Sequence, residues 1–215
     1  MPSKTPFVSF YHSNGISPVS QDISDKEKHF QRRESLFRSL GIVPSLVKGR
    51  TVLEFGPGSG HNAYYTASLS PATYNLVEGN VKGAQETRKM LSEYDDVQIH
   101  VSQCLFEEFR SETQHDMVWA EGCLPHQSEP LPLLEWISRY VTVGGVLCIT
   151  TASGVSYLSE TLRRLFRDRF FEATEDVIAQ AESLAPYLRP HLAHLQGMSR
   201  PVVDLMQYQM FLEER

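Results

Sequence analysis

The chain has 215 residues, of which 41% are hydrophobic and 21% charged, the balance of a soluble globular protein long enough for one full core. Its net charge of −6 excludes broad electrostatic binding to nucleic acid or an anionic membrane surface, which requires a surplus of Lys and Arg. Three widely spaced cysteines, Cys104, Cys123 and Cys148, form neither a disulfide frame nor a zinc-type pairing. With no signal-like leader and no run of eighteen apolar residues, a cytoplasmic protein is expected, with no metal and no membrane partner.

Three zones follow in chain order. Residues 1–48 read as a leader with aromatic residues at Phe7, Phe10 and Tyr11, then a helix. Asp25 is its expected N-cap, Phe30, Leu36, Phe37 and Leu40 its apolar face, and Gly41 its stop. Residues 49–152 alternate β-rich and helical patterns. Strands are expected at 51–55, 74–78, 97–101, 117–120 and 146–151, and helical segments at 61–69, 81–94, 105–109 and 131–140. This alternation predicts an α/β fold, a Rossmann-like parallel sheet with helices on both faces. Residues 153–215 read as helical, with helices expected at 156–166, 174–184 and 201–212. The arginines at 163, 164, 167 and 169 read as a solvated helix face.

The segment Val52-Leu53-Glu54-Phe55-Gly56-Pro57-Gly58-Ser59-Gly60 is an apolar strand with one carboxylate running into three alternate glycines. Glycine permits the sharp turn and leaves no Cβ in a ligand's way. The helix opening at His61 would aim its free N–H groups and positive dipole end at that ligand. The dinucleotide fingerprint G-x-G-x-x-G is not met, because His61 stands where its third glycine would fall. Glu54, just before the turn, suits a ligand ammonium better than a pyrophosphate.

Taken with three further motifs, Glu54–Gly60 resembles the first motif of class I S-adenosylmethionine-dependent methyltransferases. Leu76-Val77-Glu78-Gly79-Asn80 places an acidic residue at the end of the second strand, His115–Gly122 matches the fourth-strand motif, and Tyr140–Leu147 resembles the turn before the fifth. The resemblance covers about half the chain. It implies S-adenosyl-L-methionine as cofactor and S-adenosyl-L-homocysteine as product. It also implies Glu54, Gly56, Pro57, Gly58 and Gly60 around the amino-acid part, with Glu78 and Gly79 at the ribose. In the position of the family's adenine-binding Asp stand Gln103, Cys104 and Leu105. This implies that a backbone N–H, Leu105 packing and Gln103 hold the base. His61 is expected at the methionine part, and Tyr11 in a leader that serves as lid.

The acceptor is expected to be a small molecule or saccharide, methylated at oxygen. His126 is the candidate general base, and Glu121 the candidate contact to substrate or cofactor; the alternatives are a surface loop histidine and a cap for the turn at 122–125. His191 and His194 are not expected to bind metal, and Glu107, Glu108 and Glu112 read as solvated surface. The family's last two strands are not found after Thr151. Either the chain is a fragment, or its C-terminal helices form a cap or a homodimer element. Two rival readings are a non-catalytic S-adenosylmethionine-binding scaffold or sensor and a nicotinamide-dependent oxidoreductase.

Overall fold

A computed structural model describes residues 6–18, 21–127, 129–151, 153–172 and 176–192. Five strands, β1 (Thr51–Phe55), β2 (Thr73–Val77), β3 (Gln98–Ser102), β4 (His115–Ala120) and β5 (Val141–Ile149), form one sheet of order β3-β2-β1-β4-β5. Every pairing is parallel. The chain moves outward from β1 to β3, returns to the other side of β1 for β4, and ends at β5. The order therefore reverses between β1 and β4, where open α/β sheets place their ligands beyond the carboxyl ends of the strands.

The period-two alternation of β1 divides the core. Val52 points into one cluster with Phe37, Tyr65, Tyr74, Leu76 and Trp119, beneath α2 (Lys26–Ser39), α3 (His61–Ser68) and α4 (Val81–Leu91). Leu53 and Phe55 point into the opposite cluster with Val118, Leu133, Ile137 and Tyr140, against α5 (Pro130–Ser138). Helices thus cover both faces. A short helix, α1 (Pro6–Ser13), precedes these, while α6 (Leu158–Phe170) and α7 (Val177–Leu192) follow β5. Among the described residues no strand comes after β5, and no helix is long and apolar enough to cross a membrane.

Several expectations are corrected. Asp25 caps α2 as expected, accepting the Lys28 N–H, but the buried stripe of that helix is His29, Arg33 and Phe37. Leu36 and Leu40 are 36% and 49% exposed. Spacing of four residues aligns 29, 33 and 37 on one face, and Phe37 fixes that face inward by stacking on Trp119 at 4.7 Å. The helix expected at 105–109 is a single 3-10 turn, Phe106–Glu108. Strand β5 begins five residues early because Val141 already pairs with His115 before an irregularity brings Val146 opposite Met117. Helix α7 runs through Pro186 and Pro190, beyond the expected end at 184. The helix expected at 201–212, His194 and the His191 side chain lie outside the described residues.

Candidate functional site

The β1–α3 turn is built by backbone geometry and held by side chains from neighbouring elements. Gly56 has φ 75°, and a Cβ there would lie 3.2 Å from both Cys123 Cβ and Phe106 Cζ. Gly60 has φ 82° as the N-cap of α3, and a Cβ there would meet Thr87 Cα at 2.9 Å. The first glycine keeps the cavity wall thin, and the second lets α3 approach α4. The Gly58 N–H donates to Glu78 Oε2 at 2.8 Å, and its carbonyl accepts the Thr87 hydroxyl at 2.9 Å.

Glu78 follows β2 and is nearly buried. Besides the Gly58 N–H, it accepts the Asn80 N–H at 2.8 Å. Burial pushes its carboxyl up to about 7, against the pull of the Asn80, Gly58 and Gly79 N–H donors. Glu54 lies on the opposite side of the turn, wholly inside the α2 face, and accepts the Tyr74 hydroxyl. Burial raises this carboxyl to about 7 as well; Tyr74 and Arg33 oppose the rise, while Glu121 and Glu78 add to it. Removing a carboxylate from water penalises its charged form more than one hydroxyl donor compensates.

Above the carboxyl ends of β1, β2 and β4 lies a narrow, partly open cavity, at the place where open α/β sheets bind their ligands. Glu78 and Gly79 border it from β2, Gly56 from β1, Glu121 and Cys123 from the end of β4, and Leu105 and Phe106 from the segment after β3. Val8 of α1 and Pro18 complete it from the leader. Burial drives the Cys123 thiol up to about 12, so at neutral pH it is a protonated packing group.

The leader is laced to the turn. Ser17 and Ser59 hydroxyls lie 2.9 Å apart, the Ser59 hydroxyl and N–H both donate to the Pro18 carbonyl, and the Gln21 N–H donates to His61 Nδ1 at 2.8 Å. His29 secures the same corner from α2. Its Nε2 is 2.8 Å from the His61 carbonyl and its Nδ1 3.0 Å from Arg32 Nη2. A guanidinium only donates and a carbonyl only accepts, so His29 is neutral with its proton on Nε2. Burial, first, and the nearby Arg32 and Arg33 lower its proton affinity against the pull of the His61 carbonyl.

The structure gathers Gly56, Glu78, Gly79, Leu105 and Glu121 around the cavity, whereas Glu54, Pro57, Gly58, Gly60 and His61 lie in β1, the turn and the start of α3 and do not line it. Cys104 is half-buried and packs against the second core cluster. Gln103 is exposed and does not line the cavity. Tyr11 is buried against Phe10 and Ile16; the leader residues on the cavity wall are Val8 and Pro18 instead. His126 ends the 3-10 turn Leu124–His126, between cavity residues Cys123 and Gln127, but its side chain lies outside the described residues. Glu121 is paired, both oxygens receiving the Arg33 guanidinium at 2.7 and 2.8 Å. Arg33, Val8, Pro18, Phe106 and Cys123 have no motif that marks them in the sequence. Among the described residues, no group of three or more His, Cys, Asp or Glu side chains could hold a metal ion.

No family model and no curated protein matches the sequence. Among solved structures, the chain is similar to the Trypanosoma brucei PRMT1 enzyme–prozyme heterotetrameric complex with AdoHcy, at 19% identity and TM-score 0.46 over 60% of this chain and 40% of that one. It is also similar to the CcbJ methyltransferase from Streptomyces caelestis, at 18% identity and TM-score 0.46 over 68% and 57% of the two chains. A third similarity is to the DhpI–SAH complex structure, at 17% identity and TM-score 0.45 over 68% and 69%. The chain thus spans 40% and 57% of the length of the first two.

Proposed function

We propose that the chain is a class I S-adenosylmethionine-dependent methyltransferase, its 49–152 segment binding the cofactor and its leader covering it, and that it methylates a hydroxyl oxygen of a small molecule or saccharide. The observation that carries this reading is Glu78. It is a buried carboxylate at the end of β2, tied to the glycine turn by the Gly58 N–H, and it borders the cavity beyond the carboxyl ends of the strands. Its two oxygens retain lone pairs able to accept a diol. Leu105 and Phe106 offer apolar surface to a purine, and Gly56, whose Cβ would meet both walls, leaves room beneath it.

When bound, the cofactor supplies a methyl group already activated on a sulfonium. The protein's task is then mainly alignment, an effect that can lower the barrier by about 7–11 kcal/mol. Glu54 and the turn carbonyls would face the amino-acid end, Glu78 the ribose, and Val8 and Pro18 would exclude water from above. His126, in the turn after β4, is the candidate to take the proton from an acceptor hydroxyl.

Calorimetric titration with S-adenosylmethionine, S-adenosylhomocysteine and NAD tests the cofactor. Micromolar binding of the first two supports the reading, and tight binding of NAD alone overturns it. A methyl-transfer screen with the bound protein separates an enzyme from a scaffold that only holds the cofactor. The free thiols fit a reducing, cytoplasmic setting. The exposed α6 stripe of Leu158, Leu162 and Leu165 supports a homodimer through the C-terminal helices, with a dimer mass by sedimentation as the expected result.

A further inference from the structure

Glu78 accounts for the β2 end of the cavity; the β4 end poses a separate question. There Glu121 lines the wall with 31% of its side chain accessible, yet it is held by Arg33, which is only 7% accessible. Arg33 comes from α2 and reaches the carboxyl end of β4 to make two parallel N–H···O bonds, the fork geometry that orients a carboxylate most rigidly. Arg33 Nε has no partner and is buried. Glu54, near enough to act on Arg33 electrostatically, is hydrogen-bonded by Tyr74 instead. The guanidinium therefore serves Glu121.

This pairing changes what Glu121 offers a ligand. A bare carboxylate facing a cavity attracts an ammonium. A carboxylate already matched by a buried guanidinium presents lone pairs with little net charge, and an incoming cation would have to displace a partner that has no water to return to. An anion is disfavoured too, since no described Lys or Arg side chain lines the cavity while Glu78, Glu107 and Glu121 do. Glu107 itself is exposed, so solvent and salt screen it. Neutral hydrogen-bond donors remain.

Building on the cofactor reading above, we infer that Arg33 is a positioning residue that fixes and neutralises Glu121, making the β4 end of the cavity a subsite for an uncharged hydroxyl-bearing acceptor, and not for an amine, a carboxylate or a phosphate. Selectivity of this kind rests on disfavouring the charged competitors as much as on contacts to the favoured one.

The test uses the full chain saturated with S-adenosylhomocysteine and three probes on one ring: D-glucose, D-glucosamine and D-glucuronate, compared by saturation-transfer NMR. The wild type should bind glucose at least several-fold better than either charged analogue. Arg33→Met, which leaves Glu121 uncompensated, should move the preference to glucosamine by about tenfold. Glu121→Gln, which leaves Arg33 uncompensated, should move it toward glucuronate. A role confined to structure would lower stability without reversing the order of ligands. If Arg33→Met does not fold, Glu121→Gln carries the test, because it keeps the shape of the side chain. A wild type that prefers a charged probe or binds none of the three, or a folded variant that keeps the wild-type order, overturns the subsite. Loss of S-adenosylhomocysteine binding by the wild type itself would sink the cofactor reading and the subsite together, whereas intact cofactor binding with an unchanged order sinks the subsite alone.

Discussion

Glu78 combines two roles that separate only in three dimensions. One oxygen accepts the Gly58 N–H and the other the Asn80 N–H, so the side chain locks the glycine turn to the start of α4 while facing the cavity. Glu78→Ala should therefore weaken S-adenosylhomocysteine binding by about 1.5–3 kcal/mol, the range for hydrogen bonds to a charged group, and also lower the thermal midpoint of the ligand-free protein. Calorimetry and a melt on the same sample check both, and unchanged affinity would place the ribose elsewhere. A carboxylate closing an apolar strand is conspicuous in a sequence, which is why Glu78 and Glu54 were legible there. Arg33 was not. It sits in Lys26-Glu27-Lys28-His29-Phe30-Gln31-Arg32-Arg33-Glu34, a stretch that reads as a solvated helix, and its partner Glu121 is 88 positions away. Only the docking of α2 on Trp119 decides which of those charges turns inward.

At the level of elements, the three glycines of the β1–α3 turn are alike in the sequence and differ in the fold. Gly60 is a packing residue, because a Cβ would press on the backbone of Thr87 in α4 at 2.9 Å. Gly60→Ala should cost about 1–3 kcal/mol as α3 and α4 are forced apart, read as a lower urea midpoint. Gly122→Ala provides the comparison. It has a similar positive φ of 72° but nothing within 4 Å of the added carbon, so the difference between the two variants isolates the clash from the backbone strain. Equal losses would show that the α3–α4 approach does not constrain this position. The first four strands were readable to within two residues, since short apolar runs bounded by turn residues leave little choice, whereas the early start of β5 was not. Nor was the leader's course. Its ties to the turn are hydrogen bonds of Ser17, of the Pro18 carbonyl and of the Gln21 N–H, residues with no periodicity to announce them.

For the molecule as a whole, protons link the leader, the turn and the cavity. His29 is held neutral, so as pH falls below its ordinary value of 6.5 the unfolded chain takes up a proton before the folded one, and stability is lost toward acid. Glu54 and Glu78 act in the other direction. Their unfolded carboxyls ionise from about 4.5 while the folded ones hold their protons to about 7, so stability declines as pH rises through that window and stays reduced above it. Glu54→Gln keeps an acceptor for the Tyr74 hydroxyl and removes the buried charge. It should raise the unfolding free energy at pH 8 by about 1–3 kcal/mol, the scale set by 1.36 kcal/mol per pKa unit, with a much smaller gain at pH 4.5, where the folded wild-type carboxyl is neutral and the unfolded one only partly ionised. Under the proposed function the same carboxyl must ionise when the cofactor's ammonium arrives. S-adenosylmethionine binding at pH 6.5 should thus release protons, seen as a binding enthalpy that differs between phosphate and imidazole buffers in proportion to their ionisation enthalpies, and that loses part of this difference in Glu54→Gln. A variant no more stable than wild type at pH 8, together with a buffer-independent enthalpy, would mean that Glu54 is already ionised in the ligand-free fold and that Arg33 balances both Glu54 and Glu121.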